Sequence, residues 1–363
     1  MSSSSLHVGI LTGGGDCPGL NAVIRGVTNS LIKTVGARVT GIERGFMGMI
    51  ERRSRPLDSE AVAGILNQGG TILGTHNFAN PFSCNGVDVS DKVMEYVREL
   101  GLDALVAIGG DGTMSIANRF TPLGLPVVGV PKTIDNDLMH TERTFGFDSA
   151  VAIVAEALAR LETTARSHGR VMVLETMGRY AGWIALEGGL AGGADVILIP
   201  EKPYDLNEVI RVCKEREKKQ GYTLICIAEG ARSIDGGMVV AKHLENSPDP
   251  IRLGGVGNVL RQQLEQHLES EVRTTQLGHV QRGGTPTPYD RVLATRFGWY
   301  AAKMVANGEF GRMVVLKGDE CDSVPIEDVA NRTRNVPENH SLLDVATSLG
   351  VSLGLRRDAC WAG

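Results

Sequence analysis

The sequence is poor in aromatic residues and has no long apolar run. Phe, Trp and Tyr make up 5% of the 363 residues, and no stretch approaches the ~18 apolar residues that a membrane-spanning helix needs. The six cysteines include no C-x-x-C pair, so neither a zinc site nor a redox pair is indicated. Residues 1–6 lack the charged and apolar regions of a secretion signal. We therefore expect a cytoplasmic protein with free thiols.

An excess of positive charge is also missing. The net charge is −5, whereas a nucleic-acid-binding surface is expected to be basic. We expect neither nucleic acid nor a membrane as a partner. An anionic small-molecule substrate stays possible, because a binding site needs local rather than global positive charge.

Glycine and aliphatic residues are abundant, and they follow an alternating pattern. The chain has 46 glycines and is 42% hydrophobic. Short apolar runs that predict strands alternate with stretches of helical periodicity, such as residues 147–165 and 206–219; the strands include residues 6–11, 104–108, 126–130, 171–174, 223–227 and 274–280. This alternation predicts an α/β protein with mostly parallel sheets covered by helices on both faces, and its length suits two domains or one large α/β unit. Ligands are expected at the carboxyl ends of the strands.

A glycine loop follows the first predicted strand. The segment LTGGGDCPGLN, residues 11–21, leaves a strand and opens a helix. Adjacent glycines let backbone N–H groups approach phosphate oxygens, and the helix N-terminus favours an anion. The loop matches neither G-x-x-x-x-G-K-[ST] nor G-x-G-x-x-G. It is either a phosphate loop or a tight turn without a ligand.

Two further strand ends carry carboxylates. Asp111 lies in IGGDGT, where a Mg²⁺ held by carboxylates and substrate phosphates would need it, although Asp also commonly caps a helix. Asp135 and Asp137 lie in PKTIDND and are expected to project to one side of an extended loop. One carboxylate could act as a base while the other manages a metal, or the segment is a solvated turn.

Four arginines stand at or near predicted strand ends, and a guanidinium group can grip phosphate with two parallel hydrogen bonds. They are Arg170, Arg179, Arg273 and Arg282, with His279 beside the last. Together they suit a sugar phosphate. Each arginine alone is better explained by a surface ion pair, and His279 alone is better explained by a structural role.

These motifs together resemble one family, the phosphofructokinases. T-x-G-G-D-x-P-G-x-N, G-G-D-G, T-I-D-N-D, M-G-R and G-H-x-Q-R-G-G occur in that family's order and spacing, over about residues 6–313. The resemblance implies transfer of the terminal phosphoryl group of ATP, with Mg²⁺, to the 1-hydroxyl of fructose 6-phosphate. It also implies a homodimer or homotetramer whose active sites are shared between subunits.

The resemblance further implies roles for individual residues. Asp135 would be the base, assisted by Asp137, and Asp111 would hold the metal. The donor would be bound by Gly14, Gly15, Gly110, Asp111, Gly112 and Thr113. The sugar phosphate would be bound by Thr133, Asp135, Met177, Gly178, Arg179, Glu229, His279 and Arg282, with Arg170 and Arg273 from a neighbouring subunit. The resemblance also implies two Rossmann-like, three-layer domains with mostly parallel sheets. Residues 1–147 plus 282–330 would form the donor domain and residues 148–281 plus 331–363 the fructose 6-phosphate domain, with the active site in the cleft between them.

Two positions bear on the donor. In the family, Asp in place of Gly112 goes with pyrophosphate use, because a carboxylate there would repel the α-phosphate of ATP. Lys at position 132 also goes with pyrophosphate use, so this chain combines both types. Repulsion and bulk exclude a ligand, whereas an extra lysine only adds attraction. We therefore predict ATP, with a pyrophosphate-dependent transferase as the alternative.

Two departures from the common bacterial pattern concern charge. Asn77 stands where that form has an arginine, and we hypothesise that Lys132 supplies the missing positive charge at the transition state. Arg25 matches one effector-site arginine, but Asn29 replaces the next, so allosteric control by ADP or phosphoenolpyruvate is not predicted.

Other classes fit less well. NAD and diacylglycerol kinases share G-G-D-G-T but lack the sugar-phosphate motifs. A non-catalytic sensor would be expected to have lost Asp135. A dinucleotide oxidoreductase would need a G-x-G-x-x-G followed by an acidic residue ~20 positions on.

Overall fold

The structure is a computed structural model that describes residues 6–243 and 251–356. The helices are α1 Leu20–Ser30, α2 Phe46–Glu51, α3 Ser90–Leu100, α4 Asp111–Phe120, α5 Phe147–His168, α6 Trp183–Ala191, α7 Leu206–Lys219, α8 Val256–Glu265, α9 Pro288–Asn307 and α10 Ser341–Ser348. The strands are β1 His7–Thr12, β2 Arg38–Ile42, β3 Ser54–Leu57, β4 Ala104–Gly109, β5 Val127–Pro131, β6 Val171–Thr176, β7 Val196–Leu198, β8 Thr223–Ala228, β9 Val240–His243, β10 Ile251–Leu253, β11 Val272–Gln276, β12 Arg312–Lys317 and β13 Glu320–Pro325.

The chain divides into two compact units. Unit 1 comprises residues 1–134, 138–149 and 282–333, and unit 2 comprises residues 135–137, 150–281 and 334–363. Residues 357–363, which the sequence assigns to the second domain, lie outside the described residues. The short segment 135–137, which carries two of the candidate carboxylates, therefore belongs to unit 2 by its contacts.

Unit 1 is built on a seven-stranded sheet in the order β13-β12-β5-β4-β1-β2-β3. The outermost pair at each edge is antiparallel and the inner pairs are parallel. Every residue of β1 and β4 is buried, as expected for central strands that helices cover on both faces. Helices α1 and α9 pack so closely that a Cβ on Gly298 would lie 2.7 Å from a carbonyl oxygen of α1.

Unit 2 contains a four-stranded parallel sheet in the order β11-β6-β8-β7. Helices α7 and α8 bury their apolar faces against it, with Val209, Cys213 and Leu260 in the shared core. Helix α7 begins where Asp205 accepts the N–H of Asn207, and basic residues fill its last turn, as the helix dipole favours. The predicted α/β class with mostly parallel sheets is confirmed.

The expected strand over residues 274–280 is wrong in its second half. Strand β11 ends at Gln276, and Gly278 turns the chain with φ of 49° into a short 3₁₀ helix, Gly278–Arg282. A left-handed glycine ends an extended run regardless of the apolar residues that follow it. The motif that carries His279 therefore lies on a turn rather than on a strand.

Among the described residues, no helix is long and apolar enough to cross a bilayer. The described cysteines, at positions 17, 84, 213, 226 and 321, form no disulfide, and Cys360 lies outside the described residues. Burial raises the pKa of the Cys17 thiol to about 12, so that group stays protonated within the glycine loop.

Candidate active site

The glycine loop of unit 1 follows β1, and its glycines are required by close contacts. Gly13 donates its N–H to the carbonyl oxygen of Ile108 at the end of β4, at 2.9 Å. A Cβ on Gly13 would lie 2.5 Å from Oγ1 of Thr113, and Gly14 has φ of 74°. A Cβ on Gly15 would lie 2.7 Å from a guanidinium nitrogen of Arg282. Side chains at these positions would force the loop apart.

Two cationic side chains reach this loop. Lys132, which is 4% exposed, donates a hydrogen bond from Nζ to the carbonyl oxygen of Gly15. Arg282 donates from Nη1 to the carbonyl oxygen of Asp16 at 3.2 Å. Two cations beside a glycine loop at the carboxyl end of a strand suit an anionic ligand. The geometry therefore favours the phosphate loop over a plain tight turn.

Asp111 begins α4 at the carboxyl end of β4. Its Oδ1 accepts the N–H of Asn331 at 2.6 Å, and Asn331 is in the left-handed conformation with φ of 60°. Burial raises the pKa of Asp111 above its ordinary value, and the hydrogen bond from Asn331 acts in the opposite direction. Gly110, not Asp111, occupies the N-cap position of the helix. The carboxylate is thus half-buried and oriented by a loop distant in sequence.

The two residues that follow Asp111 differ in how closely other atoms surround them. A Cβ built on Gly112 meets no atom within 4 Å, so this residue borders open space. Thr113 is 5% exposed, and a Cβ on Gly109 would lie 2.2 Å from its Oγ1. The side chain of Thr113 therefore fills the space between the ends of β1 and β4. The motif did not predict this packing role.

In the described residues, no group of three or more His, Cys, Asp or Glu side chains is arranged to hold a metal ion. A Mg²⁺ that uses one or two protein carboxylates and takes its other ligands from substrate phosphates and water needs no such group. The half-buried carboxylate of Asp111, at the carboxyl end of β4, fits that requirement.

In unit 2, the two further carboxylates flank a tight turn. Asn136 is 1% exposed and has φ of 51°, with half-buried Asp135 and Asp137 on either side. The expectation of an extended loop here is wrong, because asparagine tolerates the left-handed region and turns the chain. The N–H of Arg334 donates to the carbonyl oxygen of Asp137 at 2.8 Å. Thr133, in unit 1, has its carbonyl oxygen bound by the hydroxyl of Thr144 at 2.7 Å.

A second turn, which we call the Met177 turn, follows β6 and brings together other predicted site residues. Gly178 has φ of 128°, and its carbonyl oxygen accepts the N–H of Gly230 at 3.1 Å. Glu229 donates its backbone N–H to the carbonyl oxygen of Thr176 at 2.9 Å. A Cβ on Gly230 would lie 1.9 Å from the carbonyl oxygen of Arg179. Met177, Gly178, Arg179 and Glu229 are therefore held together at the carboxyl ends of β6 and β8.

The turn after β11 supplies the remaining motif. His279 is exposed, whereas Gln281 is completely buried and accepts the N–H of Met177 at 3.4 Å. Gln281 thereby ties this turn to the end of β6. Arg282 belongs to unit 1, where it contacts the glycine loop, and His279 belongs to unit 2.

Arg170 and Arg273 are not brought to these strand ends. Arg170 precedes β6 and Arg273 is the second residue of β11, so both lie at the amino ends of the parallel strands. Both guanidinium groups pair with the carboxylate of Glu271. They stand apart from Met177–Arg179 at the opposite end of the sheet.

Glu175 was missed by sequence reasoning. It is 1% exposed, and its carboxylate accepts the N–H of Gly255 at 3.0 Å, the N–H of Gly257 at 2.8 Å and Nε2 of Gln276 at 2.8 Å. These bonds join β6, β11 and the start of α8 just before the Met177 turn. A lone carboxylate in an otherwise apolar strand was the available signal, because a buried charge requires partners.

Comparisons with known proteins agree with this arrangement. Residues 7–305 match the family model described as Phosphofructokinase. A Clostridium perfringens protein named ATP-dependent 6-phosphofructokinase 2 is 50% identical over 356 residues, covering 95% of this chain and 97% of the relative. A Streptomyces coelicolor protein named Pyrophosphate--fructose 6-phosphate 1-phosphotransferase is 49% identical over 332 residues, covering 91% of this chain and 96% of the relative.

Solved structures named as phosphofructokinases are also similar to this chain. Phosphofructokinase from Saccharomyces cerevisiae matches with a TM-score of 0.75 and 30% identity, over 89% of this chain and 45% of that one, so this chain spans less than half of the yeast protein's length. Pyrophosphate-dependent phosphofructokinase from Nitrosospira multiformis matches with a TM-score of 0.80 at 22% identity, over 93% of this chain and 87% of that one, which shows a shared fold. With its family match over most of the chain and its full-length relatives, the protein belongs to the phosphofructokinase family.

Proposed function

We propose that the protein transfers the terminal phosphoryl group of ATP to the 1-hydroxyl of fructose 6-phosphate, giving fructose 1,6-bisphosphate and ADP. The observation that carries this proposal is the 50% identity, along nearly all of both chains, to a relative named ATP-dependent 6-phosphofructokinase. The glycine loop with two cations in unit 1 supports a phosphate donor there. The turns of unit 2 support a sugar phosphate.

The donor is proposed to bind unit 1. Gly14 and Gly15 offer backbone N–H groups, and the region of Gly110–Thr113 borders the open space beside Gly112. Asp111 would hold Mg²⁺, which when bound neutralises charge on the donor phosphates. Lys132 places a positive charge against the loop, where negative charge develops on the transferring group.

The acceptor is proposed to bind unit 2. The unit 2 residues proposed for it are Asp135, Met177, Gly178, Arg179, Glu229 and His279, and the resemblance also assigns it Thr133 and Arg282, which belong to unit 1. Asp135 accepts the proton of the 1-hydroxyl while the hydroxyl oxygen bonds to the terminal phosphorus of ATP. The bond between that phosphorus and the ADP oxygen breaks in the same step.

Arg170 and Arg273 are proposed to serve the sugar phosphate of a neighbouring subunit in a homodimer or homotetramer. Their position at the amino ends of β6 and β11, away from the Met177 turn, supports that role. A cytoplasmic location is part of the proposal and agrees with the unbridged described cysteines.

Pyrophosphate is the alternative donor, because relatives with 48–49% identity carry that name. The open space beside Gly112 favours ATP, since nothing there occupies the room that an inner phosphate needs. The deciding experiment measures fructose 1,6-bisphosphate formation by the purified protein with ATP or pyrophosphate as sole donor. We expect formation with ATP; formation with pyrophosphate alone would establish the alternative, and formation with neither would refute the reaction.

A further inference from the structure

The segment Arg334–Val336 contacts the turn that carries the proposed base. Arg334 donates from its backbone N–H to the carbonyl oxygen of Asp137 at 2.8 Å and from Nη1 to the carbonyl oxygen of Asn136 at 3.1 Å. No sequence motif pointed to this segment, which follows the family-model match over residues 7–305. All of these residues belong to unit 2.

The guanidinium group of Arg334 is itself held in place by an aromatic ring. Its central carbon lies 4.3 Å from the ring centroid of Trp183, and Nε1 of Trp183 donates to the carbonyl oxygen of Arg334 at 2.9 Å. Trp183 is 1% exposed and is the first residue of α6. A guanidinium group over a buried indole is a rigid donor, because the cation–π contact restricts the side chain of Arg334 while the hydrogen bond from Trp183 restricts its backbone.

The rest of the segment fixes it to the Met177 turn. Asn335 donates from its side-chain amide to the carbonyl oxygen of Tyr180. The N–H of Val336 donates to the carboxylate of Glu201 at 2.8 Å, and the same carboxylate accepts the N–H of Gly182 at 3.0 Å. One short segment therefore joins the turn of Asp135 to the turn that presents Arg179.

The base-bearing turn needs such an anchor. Asn136 is buried with φ of 51°, a left-handed conformation that asparagine tolerates at a cost in free energy that surrounding contacts must offset. A buried backbone carbonyl also requires a donor, and Nη1 of Arg334 supplies one for Asn136. Loss of the side chain would remove this hydrogen bond and loosen the turn.

We propose that Arg334 is a positioning residue that sets the place of Asp135 through the backbone of Asn136 and Asp137. The inference rests on the proposed role of Asp135 as base. A shift of about 1 Å in a reacting group can cost about a hundredfold in rate. Because the backbone N–H of Arg334 is kept in the Met and Lys variants, we expect loss of the side chain to lower kcat by roughly tenfold to a hundredfold.

The test compares Arg334→Met, Arg334→Lys and a matched control, Arg356→Met. Arg356 lies in the same C-terminal segment and pairs with Asp205 at the start of α7. Each protein is assayed for kcat and for the KM of fructose 6-phosphate, with the donor that the wild type uses. Hydrogen exchange of the peptide that spans residues 133–138 is measured on the free proteins.

We expect Arg334→Met to lower kcat with little change in KM and to speed exchange in that peptide. Arg334→Lys keeps a cationic donor and should recover several-fold of the lost kcat, while Arg356→Met should match the wild type in both readouts. The proposal is overturned if exchange in Arg334→Met is unchanged, or if kcat stays at the wild-type value. Should the wild type transfer no phosphoryl group at all, the proposed function fails, and the exchange data alone decide whether Arg334 fixes the turn.

Discussion

Replacing Gly112 with aspartate should exclude ATP and leave the fold intact. A Cβ at position 112 meets no atom within 4 Å, so the chain itself has room for the side chain. The residue is second in α4, and an acidic group in the first turn of a helix interacts favourably with the helix dipole. We therefore expect the thermal midpoint of Gly112→Asp to stay near that of the wild type.

The effect on the donor follows from charge. If the inner phosphate of ATP occupies the space beside Gly112, a carboxylate there would lie about 4 Å from it. Two unit charges at about 4 Å repel by about 4 kcal/mol at an effective dielectric constant of about 20. Since about 1.4 kcal/mol corresponds to a tenfold change, kcat/KM for ATP should fall roughly a thousandfold. Pyrophosphate lacks the inner phosphate and should be tolerated.

The assay measures initial rates with each donor at saturating fructose 6-phosphate, for wild type, Gly112→Asp, Gly112→Asn and Gly112→Ala. The asparagine variant has nearly the shape of aspartate without its charge, and alanine tests the Cβ alone. We expect the rate with ATP to fall most in Gly112→Asp, much less in Gly112→Asn and least in Gly112→Ala. An equal loss for Asp and Asn would show that bulk rather than charge excludes ATP, and an unchanged rate for Asp would show that the donor does not pass Gly112.

Three further predictions concern stability and the donor loop. Gly298→Ala should destabilise the protein by about 1–3 kcal/mol in urea unfolding, because its Cβ would press against the backbone of α1 at 2.7 Å. Burial, and then the guanidinium of Arg38, lowers the pKa of His7. The folded state therefore disfavours protonation of His7, and stability is lost as the pH falls through the unfolded pKa of about 6.5. Between about pH 7.5 and about pH 5.5, the urea midpoint of the wild type should fall more steeply than that of His7→Gln. Lys132→Met removes the cation bound to the carbonyl oxygen of Gly15 and should lower kcat with little change in the KM of fructose 6-phosphate, whereas an unchanged kcat would refute its charge-supplying role.

The sequence predicted the strand ends well, because buried parallel strands leave a strong local signal. The apolar runs before Gly13, Gly110 and Lys132 each correspond to a central strand of unit 1, and their glycine or acidic residues follow those strands as expected. Glycine requirements were also visible in the motif, although not their cause. Only the coordinates show that the side chain of Thr113 occupies the space that a Cβ on Gly13 would need.

Features that depend on distant parts of the chain could not be predicted. Arg334 is one of many arginines in the sequence. Its place beside Asn136 and Trp183 results from packing across 198 and 151 residues of chain, respectively. The same holds for Asn331, whose N–H orients Asp111. Local patterns report which face a residue presents and not which remote backbone group it meets.

The roles of the site residues and the domain limits stay predictions. The arginine set illustrates why, since residue type alone placed four arginines together. The structure puts Arg170 and Arg273 at the amino ends of their strands and Arg179 at a carboxyl end. Strand direction, which a motif does not encode, decides which end of a sheet a side chain occupies.

The most direct test of the account is the activity of Asp135→Asn. This change keeps the size of the side chain and removes the proton acceptor, so kcat should fall by roughly 10²–10⁴-fold, with the KM of fructose 6-phosphate nearly unchanged. A variant that is folded and turns over at the wild-type rate would contradict the assignment of Asp135 as the base.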